Sequence, residues 1–432
     1  MKLSGWGRYP WIEAAGVSFE TPEELAGYLK TSAAGIVHGL GRSYGDSALN
    51  EHVIFSRRFN KIIHFDDATG VVTAESGVTL AEIIATFLPR GWFLKVTPGT
   101  KFITLGGAIA SDVHGKNHHQ AGCFSECVLY FDLMLPGGNV VRCSRDQNRD
   151  LFLATCGGMG LTGVVLAAAF RLQPVKSAYI RETVIRCRNL HEVIDLFEEN
   201  KSIDYSVAWI DCLARGDKMG RSVLMLGEHA KTGRKTPPPR PSLSIPMNLP
   251  GFCLNQYSVS WFNHFYYHRQ PEFVSGRLVH LDPFFYPLDK INQWNRMYGR
   301  HGFTQYQFVL PKAAGRDGLR AILSRISAAG LGSFLAVLKL LGPKNENLLS
   351  FPLEGYTLAL DFKIQPRLFP FLDKLDRIVL DHGGRLYLAK DVRMSEQTFK
   401  QGYPKWTELH RLRRSLNLIT KFNSLQSKRL GV

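Results

Sequence analysis

Residues 98–119 read PGTKFITLGGAIASDVHGKNHH, and the reading of this stretch decides the fold. Four of the five residues from Gly106 to Ala110 are glycine or alanine, so a backbone here can lie close to a large flat partner. A small-residue run rich in N–H groups, opening a helix after Thr104, suits a diphosphate. The polarity then changes at once: Asp112, His114, Lys116, Asn117, His118 and His119 fall within eight positions. Close packing followed by clustered proton-carrying groups is what a cofactor wall meeting a reaction chamber requires. The bland alternative is a glycine-rich turn beside a solvated His/Lys loop.

The 432 residues suffice for two domains, and 45% hydrophobic content describes a globular chain able to bury a core. No apolar run approaches the roughly 18–20 residues of a spanning helix; the best, Leu161 to Phe170, is about half that. MKLSGWGRYP lacks the apolar core of a signal peptide, so a cytoplasmic location is expected. The seven cysteines are odd in number and scattered, which favours reduced thiols over a disulfide framework. Cys123 and Cys127 lie near His118 and His119 but lack a second cysteine pair, and no metal is expected.

The net charge of +16 admits nucleic acid, an anionic membrane face or a phosphorylated substrate. Much of it sits in KTGRKTPPPR (231–240) and after Glu408, where Arg411, Arg413, Arg414, Lys421, Lys428 and Arg429 occur without one acid.

In chain order, Thr21-Pro22-Glu23-Glu24 opens a helix over Leu25–Lys30, and Thr79-Leu80-Ala81-Glu82 caps a second. Strands are expected at Val53–Phe55, Ile62–Phe65 and Val71–Glu75, with a hairpin of Val128–Leu135 and Asn139–Cys143 around Pro-Gly-Gly. Gly-Met-Gly-Leu-Thr-Gly (158–163) matches GxGxxG, yet a helical segment precedes it and a strand follows. That order is the reverse of a Rossmann fingerprint, and the glycines read as a tight turn from helix to strand. From about Ser177, strands at Ser206–Asp211, Ser222–Leu226, Tyr306–Leu310, Phe334–Leu338, Thr357–Phe362 and Arg385–Ala389 alternate with helices Asp317–Ala329 and Pro370–Leu380. This pattern predicts an antiparallel sheet covered on one face. Thr232–Gly251 holds six prolines and reads as a mobile loop. The aromatic run Tyr257–Tyr286 that follows is either a lipid-facing lid or core.

GLGRSYGDSALN (39–50), the 98–119 stretch and GGMGLTGVV (157–165) resemble the flavin-binding segments of the vanillyl-alcohol-oxidase (p-cresol methylhydroxylase) superfamily. The chain looks most like a branch acting on a polyprenylphosphoryl ribose, through YGRHGFTQYQFVLP (298–311), FLAVLKLLGPKNENLLSFP (334–352) and GGRLYLAKD (383–391). The resemblance implies an α+β, two-domain FAD-linked oxidase. Residues 1–176 and 385–432 would form the FAD domain, with an antiparallel-sheet substrate domain, 177–384, inserted between them. The FAD diphosphate would lie against Gly39, Gly41, Arg42, Ser43, Tyr44, Gly45, Asp46 and Ser47 and against the Gly106-Gly107 turn, held by backbone N–H groups. Gly99, Thr100, Thr104, Ser111, Asp112, His114, Gly115 and Asn117 would add contacts, with Val165 and Tyr387 packing near the cofactor. Many members bind flavin covalently through a histidine in the first glycine loop. Tyr44 stands at that place here, so noncovalent FAD is expected and His38 reads as strand packing.

By the same resemblance Lys390 is the base or base-orienting group, with His114, Tyr44 and Lys116 near the flavin. Gln305, Gln307, Lys339 and Tyr298 would bind sugar or phosphate, and Trp209 would form a wall. A lysine serves as base only if burial or neighbouring positive charge lowers its pKa from ~10.4, and Lys339 would supply that charge if the two approach. The alternative for Lys390 is phosphate binding without proton transfer.

The implied reaction is oxidation at C2′ to the keto sugar, the first half of an epimerisation to the arabinose form. A separate NAD(P)H-dependent keto-reductase would complete it. Peripheral contact with the anionic inner face of a membrane fits the charge, and nucleic acid is not an expected partner. Ala359 and Thr357 depart from the branch, which has cysteine and asparagine at these positions. The competing readings are an FAD-dependent oxidase of a soluble sugar alcohol or aldonolactone, and a binding protein without catalysis.

Overall fold

The computed structural model describes residues 1–432 except 33 and 237–242, so the centre of the proline-rich run lies outside the described residues. The decisive stretch forms a helix at Leu105–Ala110 capped by Thr104, whose Oγ1 accepts from Gly107 N at 3.2 Å. Gly106 N donates to Ser76 O at 2.9 Å. A Cβ on Gly39 would sit 2.4 Å from Thr104 Oγ1, so small residues let the first glycine loop rest directly on this helix.

Two sheets flank it. A parallel sheet orders Ala15–Ser18, His52–Phe55 and Ile36–His38. An antiparallel one orders Val140–Ser144, Val128–Met134, Val164–Pro174, Val71–Glu75 and Ile62–Asp66, with Trp92–Leu94 pairing the far end of the long strand. The helix Arg149–Thr155 enters this long strand through a turn in which Gly157, Met159, Gly160 and Gly163 all have positive φ. It is the helix-to-strand turn that the sequence context required, not a Rossmann loop.

The second domain is an eight-stranded antiparallel sheet. Its order is Phe273–His280, Tyr179–Cys187, Ser222–His229, Tyr205–Ile210, Ala336–Leu341, Gly355–Lys363, Phe303–Pro311 and Arg385–Leu386. Helices Leu190–Glu199, Lys312–Ala329 and Leu368–Asp381 bury their apolar faces with one side of it. Tyr356, Leu358, Leu360 and Phe362 belong to that core. The two-residue period of a strand therefore turns Thr357, Ala359 and Asp361 to the other face.

The strands Tyr179–Cys187 and Phe273–His280 and the helix Gln256–Arg269 were not expected from the pattern. Arg181, Glu182 and Arg186 mask the first strand, while the helix carries aromatic residues on its inner and outer sides alike, which hides the usual contrast between an apolar and a polar face.

The strand Arg385–Leu386 still pairs with Val309 and Phe308, and the chain returns to the first domain only beyond it. There Gly35 N reaches Lys421 O at 2.8 Å and Leu425 N reaches Leu49 O at 2.8 Å. Part of the basic tail is internal structure rather than a surface patch: Arg413 is fully buried and donates to the Leu161 and Phe422 carbonyls.

Asp112, expected at the cofactor, has its carboxylate engaged elsewhere. It accepts from Ser125 N at 3.0 Å, Asn345 Nδ2 and Asn347 Nδ2 at 2.8 Å each, and Ser350 Oγ at 2.6 Å. These donors come from both domains, so one buried carboxylate ties the end of the glycine helix to the loop after the strand Ala336–Leu341. Its removal strands several buried donors at once. Asp112→Ala is expected to lower stability by about 3 kcal/mol, read by calorimetry of the purified protein.

Candidate active site

The first glycine loop supplies the donors. Tyr44 N is bonded to Ala389 O at 3.0 Å, but among the described residues nothing accepts from the N–H groups of Gly41, Arg42, Ser43, Gly45 or Ser47. Gly45 and Ser47 are buried, and a run of unpaired N–H groups is an anion cradle. Nearby, the buried Nε of Arg42 and Nδ1 of His114 also lack partners among the described residues. This donor set fits the diphosphate and polar edge of FAD. The Gly106-Gly107 turn does not contribute as expected, because both N–H groups are taken by Ser76 and the Thr104 cap.

His38 lies behind the loop, its Nδ1 2.9 Å from Ala48 O and its ring edge-on to Phe55, in agreement with strand packing. Asp46 is likewise structural: Arg429 holds both its oxygens, at 2.8 and 3.2 Å, and also reaches Asp391 at 2.9 Å.

Beside the loop stands Lys390, its Nζ 3.7 Å above the Tyr44 ring. Burial holds the Lys390 ammonium below the ordinary lysine value, the Asp361 carboxylate pulls it back up, and Lys339 pushes it down again. The expected approach of Lys339 is thus present but is a smaller cause than burial. Asp361 was not anticipated. Burial raises its carboxyl above the usual range, against the opposing pull of Gln305, Lys390 and Tyr298. Gln305 Nε2 donates to it at 2.6 Å and Tyr298 Oη at 3.3 Å. The signal was legible: Asp361 is the one acid on the face shared with Thr357 and Ala359 in an otherwise apolar strand. Burial, then the Asp361 charge, lifts the Tyr44 phenol well above its ordinary value, so it stays protonated.

A second group surrounds His114. Its Nε2 lies 3.3 Å from Gln307 Nε2, which also reaches Thr357 Oγ1 at 3.3 Å. Tyr387 packs on it at 5.3 Å, stacks on Phe351 at 4.6 Å and donates to Ser111 O at 3.0 Å. Burial, with Lys339, His118 and Lys390 nearby, pushes the His114 imidazole well below its ordinary value, so it is neutral. Lys116 donates to the Phe284 carbonyl and is pulled down to about 7 by burial and by Lys339. Burial alone brings Lys339 to about 8.

The remaining expected residues take supporting places. Asn117 Nδ2 donates to Lys95 O at 2.8 Å, Thr100 Oγ1 accepts from Phe102 N at 3.2 Å, and Val165 packs in the core of the first domain. A Cβ on Gly115 would lie 2.6 Å from Thr97 O, whereas one on Gly99 would meet open space. Trp209 donates to Phe334 O at 3.0 Å and packs on Tyr266. His118 and His119 are hydrogen-bonding residues, at 3.0 Å from Gly342 N and 2.9 Å from Ile203 O.

Residues 15–144 match an FAD binding domain. Over 449 aligned positions, 99% of this chain and 97% of the relative, the sequence is 36% identical to decaprenylphosphoryl-β-D-ribose oxidase of Mycolicibacterium smegmatis. The chain belongs to the decaprenylphosphoryl-β-D-ribose oxidase family. An uncharacterized Streptomyces coelicolor protein is 31% identical over 82% of this chain and all of its own length. Human Delta(24)-sterol reductase is 30% identical over 32% of the chain and 26% of the reductase. As a member of this oxidase family with an FAD binding domain, the protein is an FAD-dependent oxidoreductase with the two-domain α+β fold.

The loop of this oxidase-family chain tolerates no side chain at Gly45, where a Cβ would lie 1.8 Å from Asp391 O. Gly45→Ala is expected to displace the free N–H groups and weaken FAD retention by about tenfold or more, one lost charge-assisted bond being worth that much. Flavin absorbance of the purified variant and FAD titration of its apoprotein read the effect.

Proposed function

We propose that the protein oxidises a polyprenylphosphoryl-β-D-ribose at C2′ to the 2′-keto sugar, with noncovalently bound FAD. The observation that carries this reading is the convergence of Lys390, Lys339, Lys116 and neutral His114 beside the anion-cradling loop. Lys339 bears electrostatically on both Lys116 and Lys390, and half-buried ammonium groups so placed are costly unless an anion joins them, which a sugar-linked phosphodiester supplies. The name of the Mycolicibacterium smegmatis relative specifies a lipid-linked ribose of this chemistry. Tyr44 at the position of the superfamily's linking histidine supports noncovalent attachment.

Bound FAD supplies the acceptor for the hydride that leaves C2′. The chain's own residues manage the proton. Lys390, neutral in a useful fraction because burial depresses it, takes the C2′ hydroxyl proton, and the Asp361 carboxylate stabilises the ammonium so formed. Gln305 and Tyr298 hold Asp361 in place, while Lys339 and Lys116 take the phosphate. Gln307, bridging His114 and Thr357, orients the sugar. The keto product calls for an NAD(P)H-dependent keto-reductase as partner. No described helix is long and apolar enough to cross a membrane, so reaching a lipid-borne substrate calls for peripheral contact with an anionic membrane face.

Anaerobic mixing tests the substrate class. Polyprenylphosphoryl ribose is expected to bleach the flavin absorbance while xylitol and an aldonolactone leave it unchanged; bleaching by the free polyol or lactone alone would reverse the assignment. Lys390→Ala is expected to slow flavin reduction by about 10²–10⁴-fold, the usual worth of a general base.

The pH dependence separates Lys390 from Asp361. A depressed lysine is active where neutral, so the reduction rate rises with pH through its lowered pKa. Asp361 raises that pKa, so Asp361→Asn is expected to move the rising limb to lower pH. Loss of reduction at every pH, with no shift of the limb, would make Asp361 itself the base.

A further inference from the structure

The helix Gln256–Arg269 settles neither of the two expectations for its region alone. Tyr267, Phe284, Phe285 and Tyr286 are core, but Tyr257 is 83%, Trp261 71% and Phe265 51% exposed. These three recur every four residues and so form one outward stripe, with the Trp261 and Phe265 rings stacked at 5.8 Å. Met247, 68% exposed, lies in the segment leading to it. A contiguous aromatic surface of this kind marks an interaction face rather than ordinary solvent-facing surface.

The inner side of the same helix leads to the active site. Phe262 lies 5.9 Å from Tyr266 and 5.8 Å from Phe334, and Phe334 stacks on Tyr298 at 5.7 Å. Tyr298 donates to Asp361, which faces Lys390. Leu254, just before the helix, packs with Tyr44, Trp294, Tyr298 and Phe303. A chain of packed rings thus leads from the helix that carries the exposed stripe to Tyr298, which bonds the Asp361 facing Lys390.

Charge selects the occupant. The helix contains no acid, and among the described residues no carboxylate pairs with Arg269 at its end or with the exposed Lys218, whose charge bears on His268. The nearby Glu272 is held by Arg186. A second copy of a chain carrying +16 would bring like charge to this rim, whereas anionic headgroups would neutralise it.

We propose that this helix lies flat in the headgroup layer of an anionic bilayer, its outer aromatics inserted. The polyprenyl tail of the substrate then runs from the membrane along Phe262 and Phe334 to the lysines. The inference rests on the lipid-linked substrate proposed above.

The test uses the FAD-loaded enzyme floated with phosphatidylcholine vesicles, with and without phosphatidylglycerol. Wild type is expected to float with the anionic vesicles and to be released by salt. The double variant Trp261→Ser, Phe265→Ser is expected to bind about tenfold more weakly or worse, with an unchanged circular dichroism spectrum. Arg269→Glu is expected to weaken binding to the anionic vesicles alone. KM for a long-chain substrate carried in vesicles is expected to rise in the double variant, while turnover of a short-chain, water-soluble analogue stays constant. Equal vesicle binding by wild type and double variant would overturn the proposal. So would a wild-type dimer in sedimentation that the double substitution abolishes. If the short-chain polyprenylphosphoryl ribose fails to bleach the flavin of the wild type, the substrate reading itself fails, whatever the vesicles show.

Discussion

The arrangement depends on one clamp: the chain's last helix, Leu425–Leu430, presses the first glycine loop against the segment that carries Lys390. Arg429 holds Asp46 of the loop and Asp391 beside the lysine, and Tyr44 N bonds Ala389 O at 3.0 Å. Gly45 allows the two backbones to meet where any Cβ would collide with Asp391 O. Loop and lysine are some 345 positions apart in sequence (45 against 390), yet the clamp makes them neighbours in one rigid unit. Breaking a partly buried ion pair of this kind by removing one partner costs about 3–5 kcal/mol, because the other charge is left behind. The loop proposed to cradle the cofactor and the lysine proposed to take the proton are therefore positioned together.

With that geometry fixed, burial governs the chemistry. Desolvation is the largest cause of the lowered values of Lys390, Lys116, Lys339 and His114, and of the raised values of Asp361 and Tyr44. Neighbouring charges then sort the groups into roles. Lys390 faces a carboxylate that welcomes its protonated form, whereas Lys339 has no carboxylate among the causes that act on it. This difference underlies the proposed division of labour, with the first taking the proton and the second binding the phosphate. His114, surrounded by positive charge, is held neutral and acts as a hydrogen-bonding surface.

Much of this was legible in sequence because it is local. The Thr79 capping box, the Pro-Gly-Gly hairpin and the helix-to-strand glycine turn each need only adjacent residues, and each formed where expected. The glycine loop and GGRLYLAKD also carry their identity in short range. What failed to show depends on distant partners. The carboxylates of Asp46 and Asp112 looked like cofactor contacts because their true partners, Arg429 and the 345–350 loop, lie hundreds of residues away. Gly106 and Gly107 looked like N–H donors, but Ser76 and the helix's own cap claimed them. Asp361 was hidden by no distance at all. Its place on one face of an apolar strand was readable, and only the identity of its partner was not.

The net charge illustrates why composition alone is a poor guide to a partner. The +16 divides into at least three populations with different work. Arg413, Arg429 and Arg393 are internal fasteners, their guanidinium groups spent on carbonyls or on Asp46, Asp376 and Asp391. Lys116, Lys339 and Lys390 are site charges whose burial makes them responsive to an anion. Arg269 and Lys218 are outer charges, the one in the aromatic helix and the other bearing on its His268. A polyelectrolyte such as nucleic acid would be read by a continuous basic stripe, and the first two populations are withdrawn from the surface. What the outer charge and the packed rings share is a direction, from exposed aromatic residues inward through Phe334 and Tyr298 to Asp361 and Lys390. That gradient matches a molecule with a greasy end and an anionic end, and it matches neither a polyol nor a lactone.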